Sequence, residues 1–161
     1  MLEVGKNSYV NVEDADAYVT GHYRSNSKDR QRWEGLETED KEILLVGACA
    51  EIELLTFCGR KAGTNQVLAF PRLPMQYGQP QQAPAVVTAA QIELALWLSD
   101  DVRQAEAGQR QSLQMQGVQS FSLGDLSESY TPSAVGKLGT LLCPKAARLL
   151  SPYMTGGYAL C

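Results

Sequence analysis

The sequence predicts a mainly α-helical protein: a small bundle of about four helices, with one β-hairpin and a flexible C-terminal tail. Apolar residues recur at helical spacing over 38–57 and 84–101, and each stretch begins with a residue that favours a helix start. A Gly-Asp pair at 124–125 lies between two short alternating runs, which is typical of a hairpin. With 161 residues, 44% of them hydrophobic, the chain can bury one core.

The first helix is predicted from about Glu13 to His22. Asn11 is a favourable N-cap, and the acidic residues that follow it suit the positive end of a helix dipole. The polar stretch 24–32 is predicted to form an exposed turn or a short helix.

The second helix, capped by Thr38 and ending near Phe57, is apolar on nearly every side. The third, from Pro84 to about Asp101, also has two apolar faces. Such helices are buried on two sides. We therefore expect each to pack within its own domain on one face and against a neighbouring subunit on the other. One face of the second helix carries Ile43, Val46, Gly47, Ala50, Leu54 and Phe57.

Between these helices, residues 59–83 are rich in glycine, proline and glutamine. Prolines at 71, 74 and 80 argue against a helix, so a long irregular segment is predicted. Segments of this kind are uncommon in compact domains and often have a function.

The C-terminal part changes its pattern. Residues 103–117 are glutamine-rich and weakly patterned, and the hairpin is predicted at 118–130 with Gly124 and Asp125 in its turn. A last helix begins at Pro144. The expected strand pairs are Leu123 with Leu126, Ser122 with Ser127, Phe121 with Glu128, and Ser120 with Ser129.

Charge and chemistry argue against several functions. The net charge of −4 disfavours a general nucleic-acid binder, because an acidic chain repels phosphate. A single histidine, His22, leaves no His-rich metal site, and no catalytic set of residues can be identified. No apolar run has the length of a membrane span. We expect a protein that is not an enzyme and uses no cofactor or metal.

A local DNA-binding surface is the alternative. Arg60, Lys61 and Arg72 lie near Phe70, and a second group combines two arginines with Trp33. Cations interleaved with aromatic rings can bind single strands by charge and stacking. The competing interpretation is a solvated charged turn beside aromatic residues of the core.

Three stretches carry a resemblance to a known family. Residues 7–18, NSYVNVEDADAY, resemble the N-terminal signature of a tailed-bacteriophage family, roughly D-S-Y-V-[ST]-x-x-D-A-D-A-Y. GRK at 59–61 and LAFPR at 68–72 are similar to its G-R-[RK]…L-x-[WF]-P-R, and the hairpin before a Pro-initiated helix fits too. Asn7 stands where the signature has Asp, and Phe70 where Trp is more common.

Members of this family are similar to head–tail adaptor proteins, which form a ring beneath the portal of a DNA-filled capsid. The resemblance implies a virion protein at the head–tail junction, assembled in the host cytoplasm as a homo-oligomeric ring of twelve copies. Its partners would be the portal protein and a tail-side connector, with DNA as passing cargo. Other members are labelled DnaT-like single-stranded DNA-binding proteins, which implies a replication role with Arg60, Lys61 and Arg72 as DNA contacts.

The resemblance also assigns domains and contacts. Residues 1–154 would form the adaptor domain, and 155–161 a docking tail. The tail ends in apolar residues, whereas free tails are normally polar. The tail-side partner would meet Gly124 and Asp125, whereas Phe70, Pro71 and Arg72 are expected to anchor the long loop. The expected portal-binding residues are Gly156, Gly157, Tyr158 and Leu160.

Overall fold

The computed structural model describes residues 1–73, 83–115, 120–123, 126–129, 141 and 143–154. These ranges hold six helices and two separate two-stranded antiparallel sheets, which confirms a mainly helical fold. The helices are α1 (Val12–His22), α2 (Lys28–Glu34), α3 (Thr38–Glu53), α4 (Ala85–Leu98), α5 (Asp101–Met115) and α6 (Pro144–Leu150), with a 3-10 turn at Ser151–Tyr153. The sheets pair β1 (Arg60–Lys61) with β2 (Arg72–Leu73), and β3 (Ser120–Leu123) with β4 (Leu126–Ser129).

The helix starts show which capping predictions hold. The Asn11 side chain accepts a hydrogen bond from the Asp14 amide at 2.7 Å, so the predicted cap of α1 is confirmed. The predicted cap at Thr38 is wrong. Thr38 is the first residue of α3, and Glu37 holds the N-cap position without a side-chain hydrogen bond.

The helix α3 ends at Glu53, four residues before the predicted end at Phe57. The reason is a tertiary contact. The Phe57 backbone forms an antiparallel bridge with Met154, just after the 3-10 turn, and a bridging residue is extended rather than helical.

The helix α4 lies at the centre of the core, packed between α3 and α6. Every residue from Ala90 to Trp97 is buried, including the polar Gln91 and Glu93. The expectation that a neighbouring subunit covers the second face of α4 is therefore wrong, because helices of the same chain cover it. On α3 the expectation stays a prediction, since part of that helix is exposed.

The Gln91 side chain ties the N-terminal segment to the bundle. Its amide nitrogen donates to the Leu45 carbonyl and to the Ser8 hydroxyl, both at 2.7 Å, and its oxygen accepts from the Tyr9 amide at 2.9 Å. Each polar group of this buried amide is thus paired, as burial requires.

A helix that the sequence did not predict, α5, follows α4. The helix α4 ends at Leu98 rather than Asp101, and the Asp100 carboxylate accepts a hydrogen bond from the Arg103 amide at 3.1 Å. An acidic residue in this position is a helix-start signal, and it is the one that could have revealed α5.

The hairpin and the last helix are confirmed. The observed register pairs Leu123 with Leu126 and Ser120 with Ser129, and both inner pairs also match the prediction. The turn residues Gly124 and Asp125 lie outside the described residues, as does the predicted docking tail. Pro144 begins α6 as expected. No helix among the described ranges is long and apolar enough to cross a membrane.

Candidate nucleic-acid interface

The three cations singled out from the sequence meet on one small sheet. The chain leaves α3, forms β1, and returns in β2, so that Arg60 pairs with Leu73 and Lys61 with Arg72. The segment predicted to be irregular therefore contains a two-residue ladder, which brings Arg60, Lys61 and Arg72 together.

The Arg72 side chain is an anchor. Its guanidinium donates hydrogen bonds to the carbonyls of Cys58 at 2.6 Å, Phe57 at 3.1 Å and Ala69 at 3.3 Å. A further bond reaches the Gly59 carbonyl at 2.5 Å. Four of its five donors hold the loop, so Arg72 adds charge to the surface but has little capacity to bind phosphate directly. The prediction that this residue anchors the loop is confirmed.

Phe70 is also part of the core. It is 3% exposed, and its ring makes edge-to-face contacts with Phe57 at 4.8 Å and Tyr153 at 5.5 Å between centroids. The peptide bond from Phe70 to Pro71 is cis. A ring buried in this way cannot stack on a DNA base, so the stacking role considered for Phe70 is wrong.

Arg60 and Lys61 are the cations that face solvent. The Lys61 ammonium contacts the carbonyls of Gln66 at 3.3 Å and Val67 at 2.5 Å, and it lies on the surface. The sequence holds no aspartate or glutamate from residue 54 to residue 92. The preceding acid, Glu53, is half-buried and accepts hydrogen bonds from the Ala69 amide and the Tyr9 hydroxyl. The loop is therefore locally cationic in an acidic chain.

The second basic and aromatic group does not form a binding surface. Trp33 is 1% exposed, and its indole N–H donates to the Asp16 carboxylate at 2.7 Å. Arg30 binds Glu34 and two backbone carbonyls, and Arg32 bridges Asp29 and Asp100. For this group the competing interpretation, a charged turn beside a core aromatic, is confirmed.

A buried carboxylate forms a separate polar cluster. Glu93 is 3% exposed on α4 and accepts hydrogen bonds from the hydroxyls of Tyr18 at 2.7 Å and Tyr23 at 2.5 Å. The Lys145 ammonium of α6 lies 2.5 Å from the same carboxylate. Burial and these hydrogen bonds raise the pKa of both tyrosine hydroxyls well above their ordinary value.

Three members of this cluster, Tyr23, Glu93 and Lys145, line a cavity of about 400 Å³ that also touches Arg103 and Cys143. Four of its charged residues form ion pairs within the chain, Lys145 with Glu93 and Arg103 with Asp29, and Arg103 also binds Asp100. Burial raises the pKa of the Cys143 thiol, which keeps it protonated and weakly nucleophilic. These paired charges and the protonated thiol are suited to stabilising the fold more than to catalysing a reaction.

The remaining site predictions fall in two groups. The portal-binding residues Gly156, Gly157, Tyr158 and Leu160 lie outside the described residues, as do the tail-side residues Gly124 and Asp125.

Within the described part of the chain, no group of three His, Cys, Asp or Glu side chains could hold a metal ion. His22 stacks on Tyr18, and its Nδ1 lies 2.8 Å from the Tyr18 carbonyl oxygen.

Comparison with known proteins identifies a family for this chain. No curated protein and no solved structure matches the chain. A family model covers residues 2–161, nearly the whole chain, and it agrees with one of the two labels that the sequence resemblance implied. The protein belongs to the family described as "Putative DnaT-like ssDNA binding protein".

Proposed function

We propose that this protein binds single-stranded DNA through the cationic loop that contains Arg60 and Lys61. The observation that carries the proposal is the exposure of both cations on a stretch without carboxylates, in a chain whose net charge is −4. The family description supports the same function.

The expected binding is electrostatic. Cations that contact phosphates release counterions, so the affinity falls as the salt concentration rises. For single strands, the logarithm of the binding constant falls against the logarithm of the salt concentration with a slope of about −0.7 for each phosphate contacted. Because Phe70 and Trp33 are buried, they contribute no stacking. We therefore expect weak, sequence-independent binding with a shallow salt dependence.

The test is fluorescence anisotropy of a labelled oligothymidine, titrated with protein at several salt concentrations. The double variant Arg60→Ala/Lys61→Ala is expected to lose most of the affinity and to flatten the salt dependence. Arg72 is left intact because its loss would disturb the loop itself.

The matched control is Arg24→Ala/Lys28→Ala, which removes two exposed cations, one between α1 and α2 and one at the first residue of α2. It changes the net charge by the same amount and is expected to retain binding. Equal losses in both double variants would reduce the effect to overall charge and contradict a site on the loop. Absence of binding by the unmodified protein at low salt would contradict the function.

A second candidate is the head–tail adaptor. It is supported by the sequence resemblance and by two exposed apolar side chains, Ile43 on α3 and Leu54 at its C-cap, which a neighbouring copy could cover in a ring. In this proposal the portal protein binds Tyr158 and Leu160, and the ring joins the portal to the tail-side connector.

Electron microscopy of lysates separates the two functions. For a phage that carries this gene, deletion is expected to give filled or leaking heads beside unattached tails if the protein is an adaptor. Failure to accumulate phage DNA, with few filled heads, would instead favour single-strand binding.

Normal portal binding by the variant Tyr158→Ala/Leu160→Ala would contradict docking through the tail.

A further inference from the structure

One side of α3 is apolar and uncovered. Ile43 and the C-cap residue Leu54 are 61% and 73% exposed, and Ala50 between them is exposed as well. Val46 and Gly47 lie on the same side and are half-buried. Ile43, Gly47, Ala50 and Leu54 follow one another at intervals of four, three and four residues, and Val46 lies three residues after Ile43, so they form one stripe. A stripe of this kind is a surface for another helix.

Four positions of the stripe, Ile43, Gly47, Ala50 and Leu54, have the same order of side-chain sizes from either end. The small residues Gly47 and Ala50 lie in the middle, and a Cβ added at Gly47 would meet nothing within 4 Å. The large side chains Ile43 and Leu54 lie at equal sequence distances on either side. An antiparallel copy of α3 would place Ile43 against Leu54 and Gly47 against Ala50, where the small residues let the two helices approach closely.

The charges at the two ends are complementary in the same arrangement. Glu39 and Asp40 are exposed in the first turn of α3, whereas the exposed cations Arg60 and Lys61 follow its C-terminal end. Antiparallel copies bring the acidic end of one helix towards the cationic loop of the other. A parallel arrangement would bring like charges together, which disfavours it.

We propose that two copies of this chain associate through α3, antiparallel, about a two-fold axis that passes between Gly47 and Ala50. The partner is a second copy of the chain because two features are self-complementary, as a two-fold contact requires. These are the order of side-chain sizes along the stripe and the opposite charges near the two ends of α3. The 16 residues of α3 span about 24 Å, so the interface is small and the dimer is weak. Neither proposed function is needed for this inference.

The first test is sedimentation equilibrium of the full chain under reducing conditions, without DNA, over a wide range of concentrations. A monomer–dimer equilibrium is expected. Leu54→Glu places a charge in the contact and should weaken the dimer by about tenfold or more. The matched control is Val102→Glu on α5, because Val102 is 69% exposed and lies outside the stripe. It should leave the equilibrium unchanged.

A second variant covers the case in which Leu54→Glu disturbs folding. Gly47→Leu adds a side chain in open space on the monomer, so the fold tolerates it, but it separates the two helices where they cross. Circular dichroism checks that the variant is folded. A folded Gly47→Leu protein that dimerises as the unmodified chain does would overturn the proposal.

A charge exchange tests the antiparallel arrangement. Asp40→Arg and Arg60→Glu should each weaken the dimer. The double variant should restore it, because the positive and negative charges have then exchanged positions and still attract each other. Failure of restoration, a monomer at every concentration, or a ring larger than a dimer would each overturn the two-fold contact. Equal weakening by Leu54→Glu and Val102→Glu would also overturn it.

Discussion

The Glu93 carboxylate and the Lys145 ammonium form an ion pair at 2.5 Å in which the two partners have very different environments. Glu93 is 3% exposed within α4, whereas the Lys145 side chain on α6 is 54% exposed. Tyr18 and Tyr23, from α1 and the chain just after it, complete the hydrogen bonds to the carboxylate. One buried charge therefore joins the first, central and last helices of the described fold.

We predict that Lys145→Met destabilises the protein by about 2 kcal/mol in urea unfolding. The substitution keeps the apolar stem but removes the counter-charge of a buried carboxylate. Breaking a fully buried pair costs about 3 to 5 kcal/mol, and the exposure of Lys145 reduces this cost. The control is Arg148→Met on the same helix, an exposed cation whose loss should cost less than about 0.5 kcal/mol. Equal effects would show that Glu93 does not depend on Lys145.

The protein should also lose stability at alkaline pH. Burial, strengthened by hydrogen bonds to Glu53 and Glu93, raises the pKa of Tyr9, Tyr18 and Tyr23 above the ordinary value of 10.0. Above about pH 10 the unfolded chain releases these protons while the folded chain keeps them. The contribution of these tyrosines to the free energy of unfolding is therefore complete below about pH 10 and is lost progressively as the pH rises further.

Urea unfolding at a series of pH values from 8 to about 11 measures this loss. The variant Tyr23→Phe removes one of the three ionisations, so its free energy of unfolding should fall less steeply above pH 10. A Tyr23→Phe curve parallel to that of the unmodified protein would exclude Tyr23 as a source of the pH dependence.

The local signals in the sequence predicted the local structure well. Asn11 is a cap and Pro144 is a helix start because each acts within a few residues of itself. The hairpin register followed from alternation about the turn predicted at Gly124 and Asp125, which depends on neighbours along the chain. Thr38 is the exception: Glu37 holds the cap position instead.

The tertiary features could not be predicted in the same way. The helix α5 has few apolar residues, so its weak pattern hid it despite the signal at Asp100. The cluster at Glu93 includes a direct contact between Tyr23 and Lys145, which are 122 positions apart, and no local pattern marks such a contact. The sequence named both Arg60 and Arg72 as candidate DNA contacts, although it also gave Arg72 an anchoring role; the fold shows Arg60 exposed and Arg72 bound to the loop carbonyls.

That difference between Arg72 and Arg60 gives a further prediction. Arg72→Lys keeps the charge but cannot reproduce the forked set of hydrogen bonds to the loop carbonyls. It should cost about 2 kcal/mol of stability, since several of these bonds are lost together. Arg60→Lys, on the neighbouring strand, should cost less than about 0.5 kcal/mol. Urea unfolding of both variants decides the matter, and similar values would refute the anchoring role.

Gly47 offers a stabilising substitution, because it lies inside α3 and a Cβ there meets nothing within 4 Å. Gly47→Ala should raise the free energy of unfolding by about 0.5 to 1 kcal/mol, since alanine loses less backbone entropy in a helix. The control is Gly5→Ala. Gly5 also has open space around it but adopts φ +84°, where a side chain is strained, so this variant should lose about 1 kcal/mol. Both are measured at a concentration where the chain is monomeric. The two substitutions should therefore change the free energy of unfolding in opposite directions, although neither new methyl group meets a neighbour. The effect arises from the backbone conformation and not from packing.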